Sequence, residues 1–243
     1  MRRAAVIAQI RAELVMQLRR GENLVVTLAI PIGVLVFFGK VDTLAGSGYR
    51  DPLDFLVPGV LALSVMASAM VSLGIATGFE RRYGVLKRLG ATPLSRAGLL
   101  SAKTATVLAF ECLQVALVVG VGALLGWTVP NGVVAAIGCL LLGTVAFAGV
   151  GMLLAGTLRA EANLAAANAL FLVLLFLGGM AYPLTRLPDG VEAFARLLPA
   201  AALSETVRTA LTGGAFPYGE LMVLAIWAVA APLAAARWFS WEE

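Results

Sequence analysis

Apolar residues recur along this chain in six long runs, each bounded by charge, proline or glycine of the kind that ends a helix. The runs cover residues 24–39, 55–78, 98–126, 132–157, 164–182 and 217–236. A helix needs about 20 predominantly apolar residues to cross a bilayer, so each run predicts one transmembrane helix. The first run is the shortest and extends by a turn toward Arg19, where a long side chain can reach the interface; Pro31 within it predicts a kink. The pattern predicts an all-α, polytopic membrane fold with six crossings, forming a single domain over residues 1–243.

Three stretches between the runs carry a pattern of their own. Residues 4–20 place Ile7, Ile10, Leu14 and Leu18 at steps of three and four, with Arg11, Glu13, Gln17 and Arg19 on other faces. This predicts an amphipathic helix lying in the headgroup layer and turning into the first span at Gly21. Residues 79–96 are dense in charge from Glu80 to Arg88, yet Tyr83, Leu86 and Leu89 recur every third residue. A short amphipathic helix follows from that spacing, stopped at Gly90 and succeeded by a helix start at Thr92 and Pro93. Its apolar stripe needs burial, against neighbouring helix ends or against a partner. Residues 183–216 are too polar to span and too patterned to be unstructured. Leu187, Val191, Phe194, Leu197 and Leu198 form one stripe, and Leu203, Val207 and Leu211 another, predicting two short helices broken at Pro199 that lie on or dip into the outer leaflet.

Composition agrees with lipid as the solvent. Hydrophobic residues make up 60% of the 243 positions and charged residues 13%, and mean hydropathy is +0.94. Orientation follows from Lys and Arg, which favour cytoplasmic flanks. Thirteen of them fall in one set of loops and five in the other, so both termini are expected in the cytoplasm. Arg11, Arg19 and Arg20 interrupt the first twenty residues, so the N-terminus is expected to be retained rather than removed with a signal peptide. The net charge of +4 is thereby a property of membrane flanks, and nucleic-acid binding is not expected. There is no His, which removes the usual base near neutral pH and the commonest metal ligand. Cys112 and Cys139 both lie inside apolar runs and read as packing residues. Arg outnumbers Lys fifteen to three, a composition typical of a GC-rich bacterial genome.

Few polar residues fall inside the spans. Glu111 lies eight residues beyond Lys103, roughly 12 Å deeper at 1.5 Å per residue. An acid at that depth must be paired or protonated. Two readings stand: a cation-binding or protonatable group facing a pathway, or, more simply, a carboxyl hydrogen-bonded within the bundle or to Gln114 one turn on. Asn168 reads as an interhelical hydrogen-bonding residue rather than a substrate ligand. The pairs Gly74 and Gly78, and Gly122 and Gly126, mark faces where helices approach closely.

With these features in hand, the chain resembles the permeases of ABC-2 type ABC transporters, most similarly those of multidrug or daunorubicin-resistance exporters. The resemblance rests on Glu80-Arg81-Arg82-Tyr83-Gly84-Val85-Leu86-Lys87-Arg88-Leu89, on Gly178-Gly179-Met180-Ala181-Tyr182-Pro183-Leu184 with Leu187-Pro188, and on Leu198-Pro199 followed nine residues on by Arg208. It implies that residues 80–89 form a coupling helix docking in a groove of a separate ATPase subunit, of which two copies are expected. Glu80 and Arg81 would make the polar contacts and Leu86 and Leu89 the apolar ones, with Arg82, Tyr83, Gly84 and Lys87 completing the loop. It also implies a second permease subunit, as homodimer or heterodimer, and makes the N-terminal helix the family's interfacial connecting helix. The expected location is the bacterial plasma membrane. The chain has no G-x-x-x-x-G-K-[ST] loop, so ATP is expected in the partner, and neither a cofactor nor enzymatic activity is expected here. Apolar spans with few fixed charges suit a hydrophobic or amphipathic cargo such as a drug or lipid. A secondary transporter or channel independent of ATP, with Glu111 as coupling site, is the alternative; it would show an inverted repeat, and no convincing one is visible.

Overall fold

Five helices among the described residues are long and apolar enough to cross a membrane, and they coincide with five of the six apolar runs. The computed structural model of the chain describes residues 2–19, 29, 31–38, 52–90, 96–128, 132–180, 183–213 and 215–240. Every regular element among them is helical. Within the first run, 24–39, only residue 29 and a helical segment 31–38 are described. Gly21, Thr92, Pro93, Ala181 and Tyr182, to which readings were attached, also lie outside the described residues.

The elements are α1 (Arg2–Arg19), α2 (31–38), α3 (Pro52–Met66), a π-helical segment (Ala67–Ser72), α4 (Leu73–Arg82), α5 (Val85–Gly90), α6 (Arg96–Leu124), α7 (Val133–Thr157), α8 (Ala160–Leu177), a 3-10 turn (Leu184–Arg186), α9 (Asp189–Ala195), α10 (Pro199–Thr212) and α11 (Tyr218–Trp238). α3, the π segment and α4 run on as a single 31-residue rod, Pro52–Arg82. At 1.5 Å per residue it is about 46 Å long, against about 30 Å of hydrocarbon, so its charged end projects well past the apolar layer. This rod is the centre of the bundle: its apolar window is 78% buried, against 22% for α8 and α11.

Close approach to the rod depends on glycine. A Cβ on Gly151 of α7 would stand 2.6 Å from the Met70 carbonyl oxygen, and one on Gly74 would stand 3.0 Å from the Gly151 carbonyl oxygen. The two backbones therefore meet where both sequences lack a side chain. Gly78 makes room instead for the Asn163 side chain of α8, whose Nδ2 would stand 2.6 Å from a Cβ there. Gly122 packs toward Val57 and Trp127, whereas Gly126 sits in the turn that ends α6.

The segment after α8 forms two helices broken at Pro199, which occupies the first turn of α10, where its missing N–H costs nothing. α10 goes further inward than a helix resting on a surface. It packs against α7, α3 and α11 and is buried along almost its whole length. α9 stays outside: Val191, Phe194 and Leu197 turn their stripe outward. α1 packs on α6, but its predicted apolar face is rotated, with Ile7 exposed and Glu13 buried.

Candidate functional site

The rod ends in three consecutive charges, and because successive helical residues are about 100° apart they leave it in three directions. Glu80 turns toward α6, where its Oε2 lies 2.7 Å from Lys103 Nζ. The same ammonium lies 2.7 Å from Glu13 Oε1 of α1, and Lys103 itself is 1% exposed. A buried ammonium is tolerated only when paired and hydrogen-bonded, and two carboxylates from two other helices supply that here. Gln9 donates to the same Glu13 oxygen at 3.0 Å.

Arg81 turns the other way, is buried, and donates from Nη2 to the Leu158 carbonyl at 2.5 Å. Leu158 caps the C-terminus of α7, the negative end of that helix, so the guanidinium meets both an acceptor and a favourable field. Arg82 pairs with Glu161 in the first turn of α8 at an exposed position. Glu80, Arg81 and Arg82 thus tie the end of the rod to α1, α6, α7 and α8 at once.

Beyond these charges the chain reverses through Tyr83 and Gly84. Gly84 has φ +70° and its N–H donates to the Arg81 carbonyl at 3.0 Å, a backbone state that a side chain would strain. Tyr83 stacks on Phe79 with centroids 6.2 Å apart and remains 70% exposed. The six-residue α5 follows. Leu86 is fully buried in the core of this chain and Leu89 is half-buried against it, so their apolar contacts are made inside the subunit rather than presented outward. Glu80 and Arg81 are likewise engaged within the chain. The outward surface consists of Tyr83, Val85, Lys87 and Arg88.

Deeper in the bundle, Glu111 of α6 is buried and held across helices. Ser68 Oγ, on the π segment, donates to Oε1 at 3.0 Å, and the Thr144 hydroxyl of α7 bonds to Oε2. Gln114, the other partner considered for Glu111, is buried beside Pro31 and Ile32 of α2. Asn168 is exposed and donates to the Leu164 carbonyl of its own helix at 2.8 Å, so the interhelical role expected of it is not seen. Asn163, five residues earlier, takes that role, donating from Nδ2 to the Gly74 carbonyl at 2.9 Å from a fully buried position.

At the opposite end of the rod Arg208 of α10 is buried. It lies 4.2 Å over the Phe55 ring, donates to the Gly179 carbonyl at 2.7 Å, and pairs with Glu205 at 2.5 Å. Trp127 Nε1 donates to Asp54 Oδ1 at 3.2 Å nearby in the same layer of helix ends. These bonds fasten α10 to the start of α3 and the end of α8.

Sequence reasoning missed Glu13 and Lys103 as site residues. The signal for Lys103 was its isolation near the start of an apolar run, where a lone charge demands partners; Glu13 had none, being one of several polar residues on an amphipathic helix. Among the described residues no cluster of His, Cys, Asp and Glu could hold a metal ion. What the arrangement can do is mechanical: a small exposed helix, rigidly joined to several transmembrane helices, moves them when it is moved.

The family model for the ABC-2 type transporter matches residues 4–212. No curated protein sequence matches the chain.

Proposed function

Since the chain belongs to the ABC-2 type transporter family and is a multi-pass membrane protein, we propose that it is the permease subunit of an ATP-driven exporter for hydrophobic or amphipathic molecules. A permease of this family is a transport component that works with an ABC ATPase subunit. In our reading the ATPase is a separate chain present in two copies, and two permease subunits enclose the pathway. The end carrying α1, α5 and the C-terminus of α11 faces the cytoplasm of a bacterial cell.

One observation carries this reading: the charges just before α5 are clamped to α1, α6, α7 and α8, and Leu86 anchors α5 in the core, while Tyr83, Val85, Lys87 and Arg88 face outward. A partner closing on that surface displaces the ends of several spans together, coupling its motion to the bundle. In this scheme Tyr83 and Val85 supply the contact area, Lys87 and Arg88 the charge complementarity, and Gly84 the turn that presents them. Glu80, Arg81 and Leu86 transmit the displacement without touching the partner.

The test is co-purification with a candidate ATPase, reading complex formation and ATP turnover for the native chain, for Tyr83→Ala with Lys87→Glu, and for Glu80→Gln. The first variant is expected to lose the complex, and the second to keep it with altered ATP turnover. A complex indifferent to the first variant removes α5 as the docking element. Failure to bind any ATPase favours the ATP-independent carrier, for which the buried Glu111 is the coupling residue.

A further inference from the structure

Between α6 and α7 lies an outward-opening groove of about 340 Å³, within the size range of small-molecule sites. Its walls are aliphatic, with Leu108, Val115 and Val119 from α6 and Ile137 and Leu141 from α7. Glu111 is the one acidic residue among those lining it.

Glu111 is the one carboxyl group on this otherwise apolar surface, and no lysine or arginine among the described residues pairs with it. Its hydroxyl partners have competing acceptors. Thr144 Oγ1 is 2.9 Å from the Leu140 carbonyl and Ser68 Oγ is 3.3 Å from the Val65 carbonyl. A hydroxyl has one proton, so each is shared between the carboxylate and a backbone oxygen. Two shared hydroxyl protons leave acceptor capacity on the carboxyl group, and an acid in an apolar setting is costly to ionise until a counter-charge is supplied.

The geometry points to this groove as a binding site for a lipophilic cation, a molecule with an apolar body that lies along α6 and α7 and a single positive charge at Glu111. Apolar walls provide affinity without shape specificity, and the carboxylate selects the sign of charge. Ser68 and Thr144 act as positioning residues that fix the carboxyl group beside the groove. The inference rests on the reading of the chain as a transporter and specifies the class of cargo it takes.

The experiment is saturation binding of tetraphenylphosphonium to the purified full chain in nanodiscs, with tetraphenylborate as an anion of matching shape. The native chain is expected to bind the cation saturably, with the borate failing to compete. Glu111→Gln is expected to weaken binding about tenfold or more, the scale of a lost hydrogen-bonded charge. Ala116 lies on the groove wall and is exposed, so Ala116→Trp fills the space while leaving the bonds of Glu111 intact, and is expected to weaken binding at least as much. Equal competition by the borate, unchanged binding in either variant, or no saturable binding by the native chain overturns the assignment. Complex formation with the ATPase is read in parallel. A stable complex with no cation site overturns this inference alone, whereas a cation site in a chain that binds no ATPase upholds it and overturns the exporter reading.

Discussion

Replacing Lys103 with methionine removes the ammonium that joins Glu13 to Glu80 while keeping an unbranched side chain of similar length. The three side chains are 1%, 8% and 21% exposed respectively, so two largely buried carboxylates lose their counter-charge. Breaking a buried pair from one side costs about 3–5 kcal/mol, and the partial exposure of Glu80 places the expected cost near the lower end, about 3 kcal/mol. Because α1 is held to the bundle through Glu13, that cost appears as undocking of α1, at roughly a hundredfold greater population of the open state. The assay is amide hydrogen exchange of residues 2–19 in detergent-solubilised protein. Glu13→Gln, which leaves Lys103 paired with Glu80, is expected to raise exchange only about tenfold. The triple variant Glu13→Gln, Glu80→Gln, Lys103→Met carries no unpaired buried charge and is expected to recover most of the protection. If Lys103→Met leaves α1 exchange unchanged, or the triple variant is as unprotected as the single one, the network does not hold α1.

Arg208→Ala is expected to lower the stability of the bundle by about 3 kcal/mol, since it strands Glu205 and the Gly179 carbonyl beside an emptied site; thermal unfolding in detergent checks it, and Arg208→Lys, unable to reach all three partners, is expected to fall between the two. Gly151→Val drives a side chain into the Met70 carbonyl and is expected to cost at least about 2 kcal/mol in the same assay, with a stable variant refuting the close approach of α7 to the rod. Asn163→Ala is expected to cost about 1–2 kcal/mol and Asn168→Ala less than about 0.5 kcal/mol, a contrast that equal melting temperatures would remove.

The five spans seen among the described residues were legible because a bilayer imposes a minimum length of apolar sequence, and such runs are visible without knowing what they touch. The break at Pro199 was legible for a local reason, since proline at a first turn starts a helix and stops the one before it. Destinations were not legible. The stripe of Tyr83, Leu86 and Leu89 was evident, yet its period could not tell a groove in a partner from the core of the same chain, and Leu86 went to the core. Glu13 and Lys103 meet across 90 residues of sequence, and nothing in the amphipathic pattern of α1 distinguishes an acid facing water from one facing a buried lysine. The same limit explains Asn163 and Asn168, two amides on one helix whose roles depend on which face meets Gly74.

The π segment at Ala67–Ser72 sets the heading of the charges at the end of the rod. A π turn is equivalent to one residue added to an α-helix, and one residue is about 100° of rotation. Were those residues wound as ordinary α-helix, everything beyond Ser72 would swing by that angle relative to α3. Glu80 would no longer aim at Lys103 nor Arg81 at Leu158, even though no residue in either contact had changed. The segment acts as a phase shifter between two ends of one shaft, and the residue that donates to Glu111, Ser68, is part of it.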